Sequence, residues 1–287
     1  MDAWLNGNFV EKDTPALCLE DRGNTFGDGL FEVCRVLNRR PLFFKEHLQR
    51  MEVSAAYFRL NFPFSLEKLY EVSRELIERN GIQTGEVYYQ LTRGKDANRE
   101  HRIRPQNLTP TFFILALPLR EINPKNWETG AQVYLFPDKR HLLCEHKTLN
   151  LFANVLAKND ANDRGGYEAM MYRKDAQGIY VTEGGSSSFF CVHNETLITP
   201  EIDNILPSVT RRKVLEYAAS IGIPTIEKRV YLKEFLTAKE VFIASTVSKV
   251  MPVRAIEKRT FPTIGKITAV MMKEIERRIE ENIRSQA

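Results

Sequence analysis

The stretch CEHKTLNLFANVLAKNDA, residues 144–161, sets a lysine, Lys147, just ahead of a run in which Leu149, Phe152, Val155 and Leu156 recur at helical spacing. That spacing predicts a helix with one buried face. A lysine where a strand runs into a helix can be partly desolvated, which lowers its pKa. The amine then becomes a nucleophile that forms Schiff bases with aldehydes. Taken alone, the spacing favours the ordinary reading, an exposed lysine. Three further features could supply the rest of a site around it.

The first is an anion cradle. ILPSVTRRKVLEYAA reads as a loop entering a helix, with Ser208 as cap and the amides of Val209 and Thr210 in the first turn. Free N–H groups and the macrodipole make such a terminus a phosphate site. The stretch ASTVSKV adds hydroxyls at Ser245, Thr246 and Ser248. The second is Arg50 in EHLQRMEVSA, which could clamp a phosphate bidentately. The third is Glu183, after GIYVT, a carboxylate at a strand end that could hold a protonated pyridine nitrogen. Each has a plainer alternative: a hydroxyl-rich loop, a surface arginine, a solvated acid. Two other clusters point nowhere. His141, Cys144 and His146 do not share one strand face, and no second cluster adds ligands for zinc. EGGSSSFF lacks the glycine that a nucleophile elbow needs after its serine, and reads as a flexible turn between strands.

The elements that must position these groups can be read from pattern. The chain has 287 residues, 43% hydrophobic and 27% charged, with a net charge of +4. Lys and Arg alternate with Asp and Glu, as in MKEIERRIEENIR, so no concentrated basic stripe for nucleic acid is present. No apolar run is long enough to span a membrane. The start shows no signal peptide, and four widely spaced cysteines read as free thiols in a reducing cytoplasm. WLNGNFV and LFEVCRVLNRRPLFF read as hairpins; helices follow over 45–58 and from an N-cap at Ser65 to Asn80. EVYYQLTR and TFFILAL are strands. PLREINPKNWETG breaks the pattern, which predicts a domain over 1–118, a linker over 119–130 and a second domain over 131–287 carrying Lys147. The second half mixes short strands with a helix from Ser208 to Ile221 and a long amphipathic C-terminal helix. Without regular βαβ alternation the fold class is α+β, and without G-x-G-x-x-G after a strand the sequence does not read as a Rossmann dinucleotide site.

In order along nearly the whole chain, the sequence resembles the fold-type IV pyridoxal-phosphate enzymes, and among them the D-amino-acid aminotransferases. The resemblance is carried by EDRGNTFGDGLFEV, HLQRMEVSA, TRG with NREHR, HKTLNLFANVLAK, VTEGGSSSFF, ILPSVTR and ASTVSKVMPV. It implies pyridoxal 5'-phosphate held between two domains, with Lys147 as Schiff-base lysine and proton shuttle and Glu183 on the pyridine nitrogen. Arg50, Val209, Thr210 and Thr246 would bind the phosphate, and Leu206 would pack on the ring. Arg99 and His101 would trap the substrate α-carboxylate from the neighbouring subunit of a homodimer, with Phe31 lining the substrate site. The implied reaction moves the amino group of a D-amino acid such as D-alanine to 2-oxoglutarate. Phe31 replaces the family's tyrosine, Ser188 its asparagine, Ser208 its glycine, and Lys249 stands where an acid is typical. Branched-chain L-aminotransferases and aminodeoxychorismate lyase share the scaffold and are the alternatives; a cofactor-free binding protein is the remote one.

Overall fold

The computed structural model describes residues 1–14, 17–103, 108–261 and 264–285. By its contacts the chain divides into two units, and each is built around its own sheet.

In the first unit, Asn6 and Gly7 both have positive φ (46° and 101°), as a tight hairpin loop requires. They join β1 (Asp2–Leu5) to β2 (Asn8–Glu11). A short helix follows, α1 (Arg22–Phe26), whose N-cap Asp21 accepts a hydrogen bond from Gly23 N. Gly27 closes it at φ 66°, a left-handed conformation that costs glycine little. Next come β3 (Gly29–Leu37), β4 (Arg40–Pro41), α2 (Phe44–Tyr57), α3 (Leu66–Arg79), β5 (Thr84–Thr92) and β6 (Thr111–Pro118). The strands lie in the order β2-β1-β6-β5-β3-β4, every neighbour antiparallel. Ser65 caps α3 by accepting from Lys68 N, as its position predicts. Leu69, Val72 and Leu76 of α3 and Leu48 and Met51 of α2 share one core with Trp4, Val87, Tyr89 and Ile114 of the sheet.

The second unit contains α4 (Lys125–Thr129), β7 (Ala131–Pro137), α5 (Phe152–Asp163), β8 (Glu168–Asp175), β9 (Gly178–Gly184), β10 (Ser188–His193) and β11 (Thr196–Pro200). It continues through α6 (Val209–Ser220), β12 (Thr225–Lys228), β13 (Val230–Tyr231), α7 (Leu232–Thr237), β14 (Glu240–Ser245), β15 (Lys249–Ile256), β16 (Arg259–Thr260) and α8 (Lys266–Arg284). Its sheet runs β12-β11-β10-β14-β15-β7-β8-β9-β13, with β16 on β15. The pairs β7–β8, β7–β15 and β11–β12 are parallel, the rest antiparallel. Ile267, Met271, Ile275 and Ile279 bury the apolar stripe of α8. The molecule is therefore α+β in two units, and no helix of the described residues is long and apolar enough to cross a membrane.

Three local expectations give way. The stretch from Glu121 to Gly130 does not stand apart as a linker. It belongs to the second unit, where Trp127 Nε1 donates to Ser248 O at 2.9 Å. Residues His146–Asn150, expected with the second domain, belong to the first unit, as does the chain from Asn282 on. The cause is hydrogen bonding to β3: Phe31 N donates to Lys147 O at 3.0 Å and Leu149 N to Gly29 O at 3.1 Å, around a bridge between Leu30 and Thr148. The apolar face read over 149–156 is not buried either. Phe152, Val155 and Leu156 are exposed, and α5 instead buries its small residues, Ala157 and Ala161, beside Ala169 and Met171 of β8.

Candidate active site

Lys147 does not end a strand. It lies in a loop well past β7, half-buried, with its backbone bonded to β3. That approach needs a bare backbone opposite. A Cβ at Gly29 would meet Leu91 O at 2.6 Å and Leu149 Cδ1 at 2.8 Å, so only glycine lets the segment lie so close. The amine then stands over Phe31, with Nζ 4.1 Å from the ring centroid. Phe31 is buried and stacks on Tyr88.

One residue along β3, Glu32 is fully buried. Arg50 of α2 grips it bidentately, Nε to Oε1 at 2.6 Å and Nη2 to Oε2 at 2.9 Å, and His47 Nδ1 lies 2.9 Å from Oε2. Burial pushes the Glu32 carboxyl up, but the Arg50 charge and the His47 bond outweigh it and hold the pKa at about 2. Burial also lowers the His47 pKa despite Glu32. A neutral imidazole facing a carboxylate through Nδ1 must carry its proton there, so His47 donates. Arg50 is thus a fixed guanidinium, its plane set by a carboxylate below it.

Arg99 and His101 are exposed, on a segment that follows β5. They meet on one ring: Arg99 Cζ is 5.1 Å from the centroid of Phe26, and the His101 ring is 5.2 Å from it.

The second unit holds the remaining candidates. Glu183, 6% exposed, is near the end of β9. Its Oε1 accepts from Arg140 Nη1 at 2.5 Å and from Leu206 N at 3.1 Å. Among the described residues its Oε2 has no hydrogen-bond partner. Burial raises the Glu183 pKa, with the Arg140 charge opposing. Arg140 is itself locked by two bonds to buried Asp138, at 3.0 and 2.9 Å. Leu206 is half-buried and leads into α6, capped by Ser208, whose side chain accepts from Arg211 N at 3.2 Å. Val209 and Thr210, both buried, are the first two residues of that helix, where amides have no intrahelical acceptor. Thr246 is half-buried in the turn between β14 and β15, which is tied by Ser245 and Ser248 hydroxyls 2.7 Å apart. The serines of EGGSSSFF are not loose: Ser186 and Ser187 donate to buried Glu168 at 2.9 and 3.0 Å, and Ser188 starts β10.

Three acids and a base were missed as partners. Glu32 had a visible signal, a charge in the middle of the apolar strand GLFEVCRVL. Glu168 likewise opens the apolar strand EAMMYR. Asp138 and Arg140, in PDKRH, had none, since that stretch reads as an ordinary turn.

Each unit holds groups of the kind that pyridoxal phosphate needs: in the first, an amine over an aromatic ring; in the second, a buried carboxylate with one oxygen unbonded and a capped helix with two first-turn amides. The model of the class IV aminotransferase family matches residues 29–256. Over 260 residues the chain is 36% identical to the D-alanine aminotransferase of Listeria monocytogenes serotype 1/2a (strain 10403S), covering 90% of this chain and 88% of that one. It is also 36% identical to the D-alanine aminotransferase of Bacillus licheniformis over 261 residues, 91% and 90% of the two chains. Its fold is similar to that of the T.th. branched-chain amino acid aminotransferase solved with pyridoxamine 5'-phosphate. The TM-score is 0.86 at 24% identity, over 98% of this chain and 94% of that one. By this agreement of site, family and relatives, the chain belongs to the class IV aminotransferases, which work with pyridoxal phosphate.

Proposed function

We propose that the enzyme transfers the amino group of a small D-amino acid, such as D-alanine, to 2-oxoglutarate. The observation that carries the reading is the Arg99–His101 pair. A guanidinium and an imidazole are presented together on one ring, a donor set suited to a carboxylate. The identity to D-alanine aminotransferases supports it, whereas the branched-chain enzyme shares only the fold.

When bound, pyridoxal phosphate supplies an aldehyde for an amine and a ring that takes up electrons released at the substrate carbon. The chain's own residues do the rest. Lys147 would hold the cofactor and would move the proton at the substrate Cα through Nζ. Glu183 would keep the ring nitrogen protonated. Leu206 would pack on the ring, and the amides of Val209 and Thr210, the Thr246 hydroxyl and Arg50 would hold the phosphate. Phe31 lines the substrate site without the hydroxyl of a tyrosine. Arg99 and His101 serve the site of a neighbouring subunit in a homodimer. Exposed Phe152 and Val155 on α5, 78% and 54% accessible, are apolar surface for such an interface. All four cysteines are free, which fits a cytoplasmic setting.

A donor screen with both enantiomers of alanine, glutamate and leucine tests the substrate. D-alanine is expected to be used with 2-oxoglutarate; a preference for L-leucine would replace this reading with the branched-chain one, and pyruvate release from aminodeoxychorismate with the lyase. Borohydride reduction of the holoenzyme should leave the pyridoxyl group on Lys147. Labelling at Lys139 or Lys158 would refute that assignment.

A further inference from the structure

Arg22 is 3% exposed although it sits in a helix of five residues. Its guanidinium binds Asp28, just before β3, and the segment that follows β5. Nε donates to Asp28 Oδ2 at 2.8 Å, and Nη1 to Asp96 Oδ2 at 3.3 Å. The same Nη1 donates to Glu100 O at 2.7 Å, and Nη2 to His101 O at 3.3 Å. Its Cζ also lies 4.7 Å from the centroid of Phe26, the ring that Arg99 and His101 share. The strand end is tied to α1 as well: Thr92 Oγ1 donates to Asp21 Oδ2 at 2.9 Å, and Arg22 N to Gly94 O at 2.9 Å.

We propose that Arg22 is a positioning residue for substrate specificity: by holding the carbonyls of Glu100 and His101 inward, with Phe26 as platform, it sets the Arg99–His101 pair for the substrate carboxylate. This rests on the reading of that pair given above. The two carbonyls flank the Cα of His101, whose ring lies 5.2 Å from Phe26, so fixing both limits where that ring can go. Charge balance alone does not explain the arrangement. Asp28 is already matched by Arg93, which grips it at 2.8 and 3.0 Å and ties it to the end of α2 through Phe58 O and Arg59 O. What Arg22 adds is a planar fork that reaches two carboxylates and two carbonyls at once. A lysine keeps the charge and loses the fork.

The test is steady-state kinetics of the holoenzyme. Arg22→Lys is expected to raise KM for D-alanine about tenfold or more, while kcat changes less and the cofactor absorbance stays. A single-turnover reaction with 1-phenylethylamine, which has no carboxylate, should be unaffected. Added to Arg99→Ala, Arg22→Lys should raise KM no further. Phe26→Leu, at a half-buried site, should act in the same direction and decides the matter if Arg22→Lys does not fold. Unchanged KM in the variants, or equal losses with the carboxylate-free amine, would overturn the proposal. If Arg99→Ala raises KM and the Arg22 and Phe26 variants do not, positioning alone is wrong. If Arg99→Ala itself leaves KM unchanged, the carboxylate reading falls and this one with it.

Discussion

Glu183 meets its surroundings through one oxygen, and its pKa is raised by burial. A cationic ring nitrogen at the other oxygen favours the ionised form, so binding and ionisation are linked. Cofactor affinity should therefore weaken on acidification at a pH above the ordinary carboxyl value of 4.5. Titrating pyridoxal phosphate into apoenzyme across pH measures this, and Glu183→Gln should remove the difference between the two pH limits. Glu32 behaves in the opposite way. Its folded pKa of about 2 lies below the ordinary 4.5. Its contribution to stability is therefore complete above 4.5 and is lost as the pH falls toward 2. Glu32→Gln leaves Arg50 without its counter-charge, at a cost of about 3–5 kcal/mol for a broken buried pair. Denaturant melts should show that loss at neutral pH and a flatter acid limb. Lys147, Arg50 and Glu183 are proposed from the sequence because each lies in a recognisable segment. The Glu32–Arg50 grip could not be, because it joins residues a strand and a helix apart, and local pattern carries no such pairing.

At the level of elements, α6 is a capped helix whose first turn, Val209 and Thr210, is proposed to bind the phosphate. Ser208 holds that turn by its bond to Arg211 N. Ser208→Ala should cost about 0.5–2 kcal/mol of stability, the usual value of an N-cap. It should also weaken cofactor binding, while Ser208→Gly, which keeps the cap backbone, should cost only a few tenths of a kcal/mol. Thermal melts with and without cofactor separate the two effects. The helices with clear caps, α3 and α6, and the hairpin at Asn6–Gly7 were evident from local chemistry. The short helix α1 and the strand β15 were not. Five residues carry too little periodicity to announce a helix, and Lys249, Pro252 and Arg254 interrupt the pattern of a strand that pairs on one side with β7, far away in sequence. α5 misled for a different reason: its apolar stripe is real, but the single chain covers the alanine side instead.

Across the whole molecule, that uncovered stripe is the surface on which the proposed homodimer should depend. Phe152→Asp is expected to shift the protein toward monomer in sedimentation velocity, with little loss of secondary structure, since the ring is 78% exposed. Activity should fall with dimer content if Arg99 and His101 serve a neighbouring site. The overall α+β class could be read from the mixture of strands and helices. The membership of the units could not, because the segment around Lys147 and the chain end return to the first one. That return bears on synthesis. As the ribosome releases the chain, β3 emerges early with the edge facing Lys147 unpaired, and α2 emerges with its Phe43 amide awaiting Asn282 Oδ1. An unpaired strand edge is a template for the wrong partner. The nascent first unit must wait for Lys147 before that edge closes, so closing it and placing the Lys147 amine over Phe31 go together.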